Sequence, residues 1–361
     1  MLLSIIVPVY NTEAYLPACL GSICAQADVV ADVEVWIIDD GSPDDSISVI
    51  REFQRMYPQL INVIRKENGG LSDTRNAGLE RARGDFVWFV DSDDSVPDDC
   101  LKELLAVLRD TRADYLLFDA LQVDDQGLVT GKFTTMRPAD PIVRVPFTAE
   151  NVQSYFSRHM VWMRLFRRSF IGDLRFPVGI THEDIHFDLQ VLIREPLIEF
   201  VPSTWYRHFF DNPLSITNTM NPRKFREVLW VYQDLRARLA ESLGGDRKFL
   251  EFLRIGVHDL LARSKYMLSL PAMAHERLTL FREYAAEIAL FLDELTASDG
   301  VPPTTQAVDR LLLRLIFRRR VAAAYAATRA CNAGKLVYDE LGRRTHGLRH
   351  GFRKTESSRV V

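Results

Sequence analysis

Val87-Trp88-Phe89-Val90-Asp91-Ser92-Asp93-Asp94 runs four apolar residues straight into three carboxylates within four positions. An apolar run of this kind predicts a strand buried on both faces, as in a parallel sheet. Open α/β sheets bind ligands outside the carboxyl ends of their strands, which is where these acids fall. Asp91 and Asp93 are two apart, so in an extended segment they share a face. Hard oxygen ligands at that point suit Mg²⁺ or Mn²⁺ bridging the phosphates of a nucleotide. Taken alone, the same acids also read as a turn capping a helix that starts at Pro97, so the surrounding sequence decides.

Outward from this stretch, strand and helix signals alternate. Residues 3–9 predict a strand, and Asn11 or Thr12 a cap for a helix over 13–26. A strand over 33–38 ends at Asp39-Asp40-Gly41-Ser42, with Asp40 or Ser42 suited to cap the helix over 44–57. A strand over 61–64, a turn at Asn68-Gly69-Gly70 and a helix over 71–83 follow. The strand over 85–90 leads to a helix over 97–109 and another strand over 114–118. Repeats at this spacing imply a parallel sheet with right-handed crossovers. Residues 120–210 loosen into short strands and turns, with helices near 150–157 and 183–194, and Trp162-Met163-Arg164-Leu165-Phe166 reads as an aromatic helix. Beyond Pro222 the pattern is helical, broken at Gly244-Gly245 and 299–303. The expected organisation is a unit over 1–218, with halves at 1–120 and 121–218, and a helical region over 219–361.

Composition narrows the function class. Hydrophobic residues make up 47% and charged residues 26% of the 361, ordinary for a globular protein. The four cysteines (Cys19, Cys24, Cys100 and Cys331) form no CxxC pair and no zinc spacing, which predicts reduced thiols. The start lacks the basic residues and cleavage site of a signal peptide, and no apolar window is long enough to span a bilayer. A cytoplasmic protein is expected, peripheral on the cytoplasmic face of the membrane. Residues 301–361 carry 13 Lys/Arg against 4 Asp/Glu, a net of +9; the other 300 residues carry 32 against 45, a net of −13. A basic tail on an acidic body predicts an anionic membrane surface or a polyanion as partner. The tail has no zinc-finger spacing or RNA-binding aromatic motif, so no nucleic-acid partner is expected. The stretch over 311–320 mixes leucines with arginines, as an interfacial helix, a helix packed on the preceding domain or a dimer contact would.

Two nucleotide-binding readings fit the front half. A dinucleotide fold needs G-x-G-x-x-G after the first strand, but Pro8-Val9-Tyr10-Asn11-Thr12 has no glycine. A nucleotidyltransferase would place a glycine-rich, Lys/Arg-bearing loop there, and this is missing too. The acids after the fourth strand would repel a diphosphate unless a cation lay between them, which favours metal-bound nucleotide-sugar chemistry.

SIIVPVYN, WIIDDGSPD, NGGLSDTRNAGL and FVWFVDSDD, in that order, resemble the motifs of family 2 glycosyltransferases. The likeness is close over about 1–120 and looser over 120–215. It implies the GT-A fold: an α/β, Rossmann-like, mostly parallel sheet flanked by helices, followed here by a helical C-terminal region. It also implies an inverting, metal-dependent hexosyl- or N-acetylhexosaminyltransferase. The donor would be a UDP-sugar, and the acceptor a glycan or lipid-linked saccharide of a bacterial-type surface polysaccharide. A homo-oligomer, or a catalytically silent scaffold, is compatible with the same motifs.

Site residues follow from the resemblance position by position. Pro8, Val9 and Tyr10 match the strand motif bordering base and ribose, with Glu13 an acid near that pocket. Asp39 matches the acid that accepts from uracil N3–H. Asn68, Gly69 and Ser72 match the loop beside the nucleotide, and Arg75 is placed to neutralise a phosphate or pair with Asp73 or an edge carboxylate. Asp91 and Ser92 match the ribose or sugar side of the DxD element, Asp93 the ligand of Mn²⁺ or Mg²⁺, and Asp94 a helper or cap. In Thr181-His182-Glu183-Asp184, Asp184 matches the catalytic base, with Glu183 the fallback or an acceptor ligand, while His182 and Trp162 would wall the acceptor cavity. Met163 replaces a residue that is polar in relatives, which puts donor-sugar contacts in doubt. Tyr206-Arg207-His208 with Ser215-Ile216-Thr217 resembles a closing strand and loop, from which Arg207 or His208 would reach the diphosphate.

Overall fold

A computed structural model describes residues 1–26, 31–156, 159–210, 221–270, 275–296, 312, 316 and 321–329. The chain divides into two compact units, Met1–Thr219 and Met220–Val361.

The first unit is built on one sheet. Its strands are β1 (Leu3–Val9), β2 (Val33–Asp39), β3 (Ile61–Arg65), β4 (Phe86–Phe89), β5 (Tyr115–Val123), β6 (Val129–Phe133), β7 (Ile142–Arg144), β8 (Arg164–Arg167) and β9 (Leu197–Phe209). They lie in the order β3-β2-β1-β4-β8-β5-β9-β7, with β6 paired on β5. The helices are α1 (Leu16–Cys24), α2 (Ser46–Met56), α3 (Leu71–Arg81), α4 (Cys100–Asp110), α5 (Ala149–Tyr155), α6 (Arg168–Ile171) and α7 (Glu183–Leu192).

The front four strands are parallel because each is joined to the next by a helical crossover. All seven residues of β1 and all four of β4 are buried, which explains their continuous apolar runs. The core beneath them gathers Ile5, Val7, Leu20, Ile37, Trp88, Leu104 and Leu116 among others. Each such side chain contributes about 1.5–3 kcal/mol by leaving water. At the amino end of the sheet, buried Glu34 accepts from Ser4 and from the backbone and guanidinium of Arg83. Burial alone would lift its carboxyl, but those donors hold it below the usual range.

The second half of the sheet is mixed. β8 lies antiparallel between β4 and β5, so β5 runs in the direction of β4 without touching it. β9 then pairs parallel with β5, and β7 pairs antiparallel with β9. Residue 120 falls inside β5.

Two local expectations are corrected. Residues 162–166 are not a helix: a 3₁₀ turn at Val161–Met163 passes straight into β8. The run is short, and the open edges of β4 and β5 offer hydrogen bonds on both sides, so pairing wins over helical propensity. The first helix begins at Leu16, not 13, with Pro17 in its first turn and Tyr15 as its cap residue. The Thr12 hydroxyl is 3.0 Å from that of Ser92, 80 residues away, instead of capping the helix.

In the second unit α8 (Pro222–Leu243), α9 (Arg247–Ser269) and α10 (Arg277–Thr296) pack on one another. Asn221 and Asp246 cap α8 and α9 through their side chains. Gly256 on α9 has no room for a Cβ, which would lie 2.1 Å from the Phe291 ring of α10. Residues 321–329 are helical. Of the basic stretch over 311–320, only Leu312 and Ile316 are among the described residues, and both are buried. The break at 299–303 and Ser215-Ile216-Thr217 lie outside them. Among the described residues no helix is long and apolar enough to cross a membrane. Cys19, Cys24 and Cys100 are buried free thiols.

Candidate active site

The register of the parallel strands brings the acids to one edge. Val9 is paired with Asp39, so β1 and β2 end together, while Phe89 is paired with Ile6, so β4 stops three residues earlier and its acids follow alongside the last residues of β1. With strands about 4.8 Å apart, Asp39 and the Asp91 loop lie about 10 Å from one another across the end of β1.

Asp39 is fully buried; its Oδ1 accepts from Ser42 N at 2.9 Å. Its Oδ2 lies 3.2 Å from Arg65 Nε but receives no well-aligned hydrogen bond. A buried acceptor left in that state suits a ligand N–H. Pro8 and Val9 are buried beside it, and Tyr10 projects half exposed. Glu13 accepts from Asp45 N while its own N–H donates to Asp44, so it clamps the loop before α2.

Asp40 is not the cap of α2. Its two oxygens accept from Gly69 N at 2.9 Å and Gly70 N at 2.8 Å, and Lys66 Nζ joins at 2.5 Å. Asp40 thereby shapes the Asn68-Gly69-Gly70 loop, where Gly70 takes φ +85°. Ser72, in the first turn of α3, is buried with its hydroxyl unpartnered.

Arg75 is the centre of the site. It is 3% exposed and bonds Asp91 Oδ1 at 2.8 Å through one terminal nitrogen and Glu183 Oε1 at 2.6 Å through the other. Its guanidinium also lies over the rings of Phe89 and Phe176. It therefore pairs with the edge carboxylates Asp91 and Glu183 and not with Asp73, which meets Lys66 at 2.6 Å. By this one side chain the loop after β4 is tied to the first turn of α7. Arg75, Glu183, Asp184 and Asp91 place three carboxylates around one cation. Burial pushes the carboxyls of Glu183 and Asp184 upward, and the Asp184 charge raises Glu183 further. Oε2 of Glu183 is buried without a partner.

Asp94 is more than a cap. It accepts from the Tyr206 hydroxyl at 2.7 Å, from Phe209 N at 2.7 Å and from His208 Nδ1 at 3.1 Å. Burial lifts it to about 6 despite His208, whose imidazole is raised in turn by that contact. Trp162 stacks on Tyr206 and His208, with centroids 4.5 and 5.1 Å away. His208 is thus taken up by Asp94 and Trp162, and Arg207 exchanges backbone bonds with Ser95. Ser92 is buried against Thr12, and His182 stands at the cap position of α7, its ring 3.4 Å from the Thr181 hydroxyl.

Among the described residues no three His, Cys, Asp or Glu side chains form a ready metal cage. Mg²⁺ and Mn²⁺ at phosphate sites need one or two carboxylates, the phosphates completing the shell. Asp91 and Asp93 act together with Asp94 on the Cys19 thiol and on His208, so their charges converge at the end of β4. That donor set fits such a cation.

A sheet of this order, with acids at the carboxyl ends of β2 and β4 and at the start of a later helix, defines the GT-A class. The profile of glycosyl transferase family 2 matches residues 4–174. An uncharacterized glycosyltransferase of Haemophilus influenzae is 31% identical over 70% of this chain and 94% of its own length. EpsH of Bacillus subtilis, named as a glycosyltransferase, is 29% identical over 66% of this chain and 69% of its own. TarS of Staphylococcus aureus, a poly(ribitol-phosphate) beta-N-acetylglucosaminyltransferase, is 29% identical over 43% of this chain and 27% of its own length. Residues 1–349 of TarS, crystallised with UDP-GlcNAc, share the fold at a TM-score of 0.71 and 18% identity, with 92% of each chain covered. The chain belongs to glycosyltransferase family 2.

Sequence reasoning missed the Asp40 and Asp94 anchors, because neither partner set is local. It also missed a buried cluster on Asp188, whose one sequence signal is its position four residues after Asp184.

Proposed function

We propose that this protein is an inverting glycosyltransferase that moves a hexosyl or N-acetylhexosaminyl group from a UDP-sugar to a hydroxyl of a glycan or lipid-linked acceptor. The product would belong to a surface polysaccharide. The observation that carries the reading is the Arg75 bridge, which sets the Glu183–Asp184 pair beside the Asp91 loop. The UDP-GlcNAc complex of TarS supports a UDP-sugar donor.

In this reading Asp39 accepts from the base, and the Asn68–Ser72 loop and Asp91 border the ribose and sugar. Asp184 takes the proton of the acceptor hydroxyl. The acceptor's oxygen then bonds to the anomeric carbon as the bond from that carbon to the diphosphate breaks, inverting the configuration. A carboxylate raised by burial is the stronger proton acceptor, which suits this role. Asp93, with Asp91 beside it, would hold Mn²⁺ or Mg²⁺, whose chemistry is to neutralise the departing diphosphate. The basic residues of 301–361 favour a peripheral contact with anionic membrane, where a lipid-linked acceptor resides.

The test is UDP release from a panel of UDP-sugars with Mn²⁺, for wild type and Asp184→Asn. The variant is expected to bind UDP as wild type does and to lose about 10²–10⁴-fold in turnover. Equal turnover in both would remove Asp184 as the base.

A further inference from the structure

Behind the first turn of α7 lies a charge cluster that the proposed transfer step does not use. Asp188 is fully buried and follows Asp184 by four residues, one helical turn along the same face. Its Oδ1 meets the Arg164 guanidinium at 2.6 Å and accepts from the Tyr115 hydroxyl at 3.2 Å. Its Oδ2 accepts from His159 Nδ1 at 2.6 Å. Three separate segments thus converge on one carboxylate: β5, β8 and the chain before the 3₁₀ turn. Burial would lift Asp188, but Arg164 and His159 hold it below the usual carboxylate range.

A helix anchor needs one partner of opposite charge. Arg164 is that partner, and His159 adds a second hold on the single Asp188; both also act on Asp184. The other groups facing Asp184 are Glu183 on its own helix and Arg75 from α3.

We propose that His159 and Arg164, both anchored on Asp188, are positioning residues for the base: they fix the first turn of α7 and place positive charge behind Asp184. This rests on Asp184 being the base. His159 is the residue to test, because its side chain is 11% exposed and its loss leaves the buried Arg164–Asp188 pair in place.

The experiment compares full-length wild type, His159→Ala, His159→Gln and Asp184→Asn. It measures UDP release from UDP-GlcNAc with Mn²⁺ against pH, and follows the Asp184 carboxyl by ¹³C NMR, assigned with Asp184→Asn. A base works only when deprotonated, so activity falls below its pKa; removing a neighbouring cation moves that acid limb to higher pH. His159→Ala is expected to lower kcat roughly ten-fold, a fraction of what the base itself supplies, with the donor KM unchanged. Its acid limb and the Asp184 titration both move upward. His159→Gln still donates to Asp188 but carries no charge, so it recovers kcat in part while the limb stays shifted. Wild-type kcat and an unmoved limb in His159→Ala would overturn the proposal. If UDP-GlcNAc is not turned over, the Asp184 titration decides: an unmoved resonance rejects it. Full activity in Asp184→Asn removes the base itself, whereas a dead Asp184→Asn beside a wild-type-like His159→Ala rejects only the role given to His159.

Discussion

Glu183 shows how much one buried side chain can say about pH. Its carboxyl sits between the Arg75 guanidinium and Asp184, out of water, and is raised from its ordinary 4.5 by that burial. The native state therefore holds a proton that the unfolded chain has released. Stability from this source is fully present below 4.5 and drains as pH rises toward neutrality. Thermal midpoints measured across that range should fall in wild type and fall less steeply in Glu183→Gln. The remaining slope belongs in part to Asp94, whose raised value has the same sign. Identical slopes in both proteins would mean that Glu183 is ionised in the native state across that whole range. At this scale the sequence was a partial guide. The acids at strand ends were legible as a set, because residue type and position after an apolar run announce them. Which acid meets which cation was not, since Arg75 and Glu183 are 108 residues apart.

The same limit appears among the elements. The front strands and helices were readable from periodicity, because burial on both faces makes the strands mostly apolar runs. β8 was not readable, as its four residues become a strand only when two edges are waiting for them. Helix α3 carries a sharper test. A Cβ on Gly78 would lie 2.4 Å from Ile6 Cγ2 of β1, so Gly78→Ala must push the helix off the sheet. The gain in helix propensity, up to about 1 kcal/mol, is outweighed by overpacking of about 1–3 kcal/mol. Arg75 rides on that helix, so UDP release should fall with the thermal midpoint. Ile6→Ala, costly alone, should relieve part of the damage in the double variant. Strictly additive losses would contradict the steric account.

For the whole molecule, the division after Thr219 is the useful boundary. All the nucleotide-side groups considered above belong to Met1–Thr219, which contains the complete sheet. A fragment of residues 1–219 is expected to fold cooperatively and to bind UDP within a few-fold of the full chain, as isothermal titration calorimetry would show. Residues 220–361 alone should bind none. Failure of the shorter chain to bind would mean that the helical unit completes the nucleotide site. The helical character of the second unit was plain from the pattern beyond Pro222 and the Gly244-Gly245 break, whereas its purpose had no motif to announce it.

The interleaving of β8 has a consequence for biosynthesis. As the chain leaves the ribosome, β4 and β5 are finished some forty residues before the piece that joins them. Until then two apolar strand margins stand open to any passing segment, the usual invitation to misassembly. The nascent protein must shelter those margins, whether by delay, by a chaperone or by its own crossover helices, and cannot close its central sheet before residue 167 has emerged.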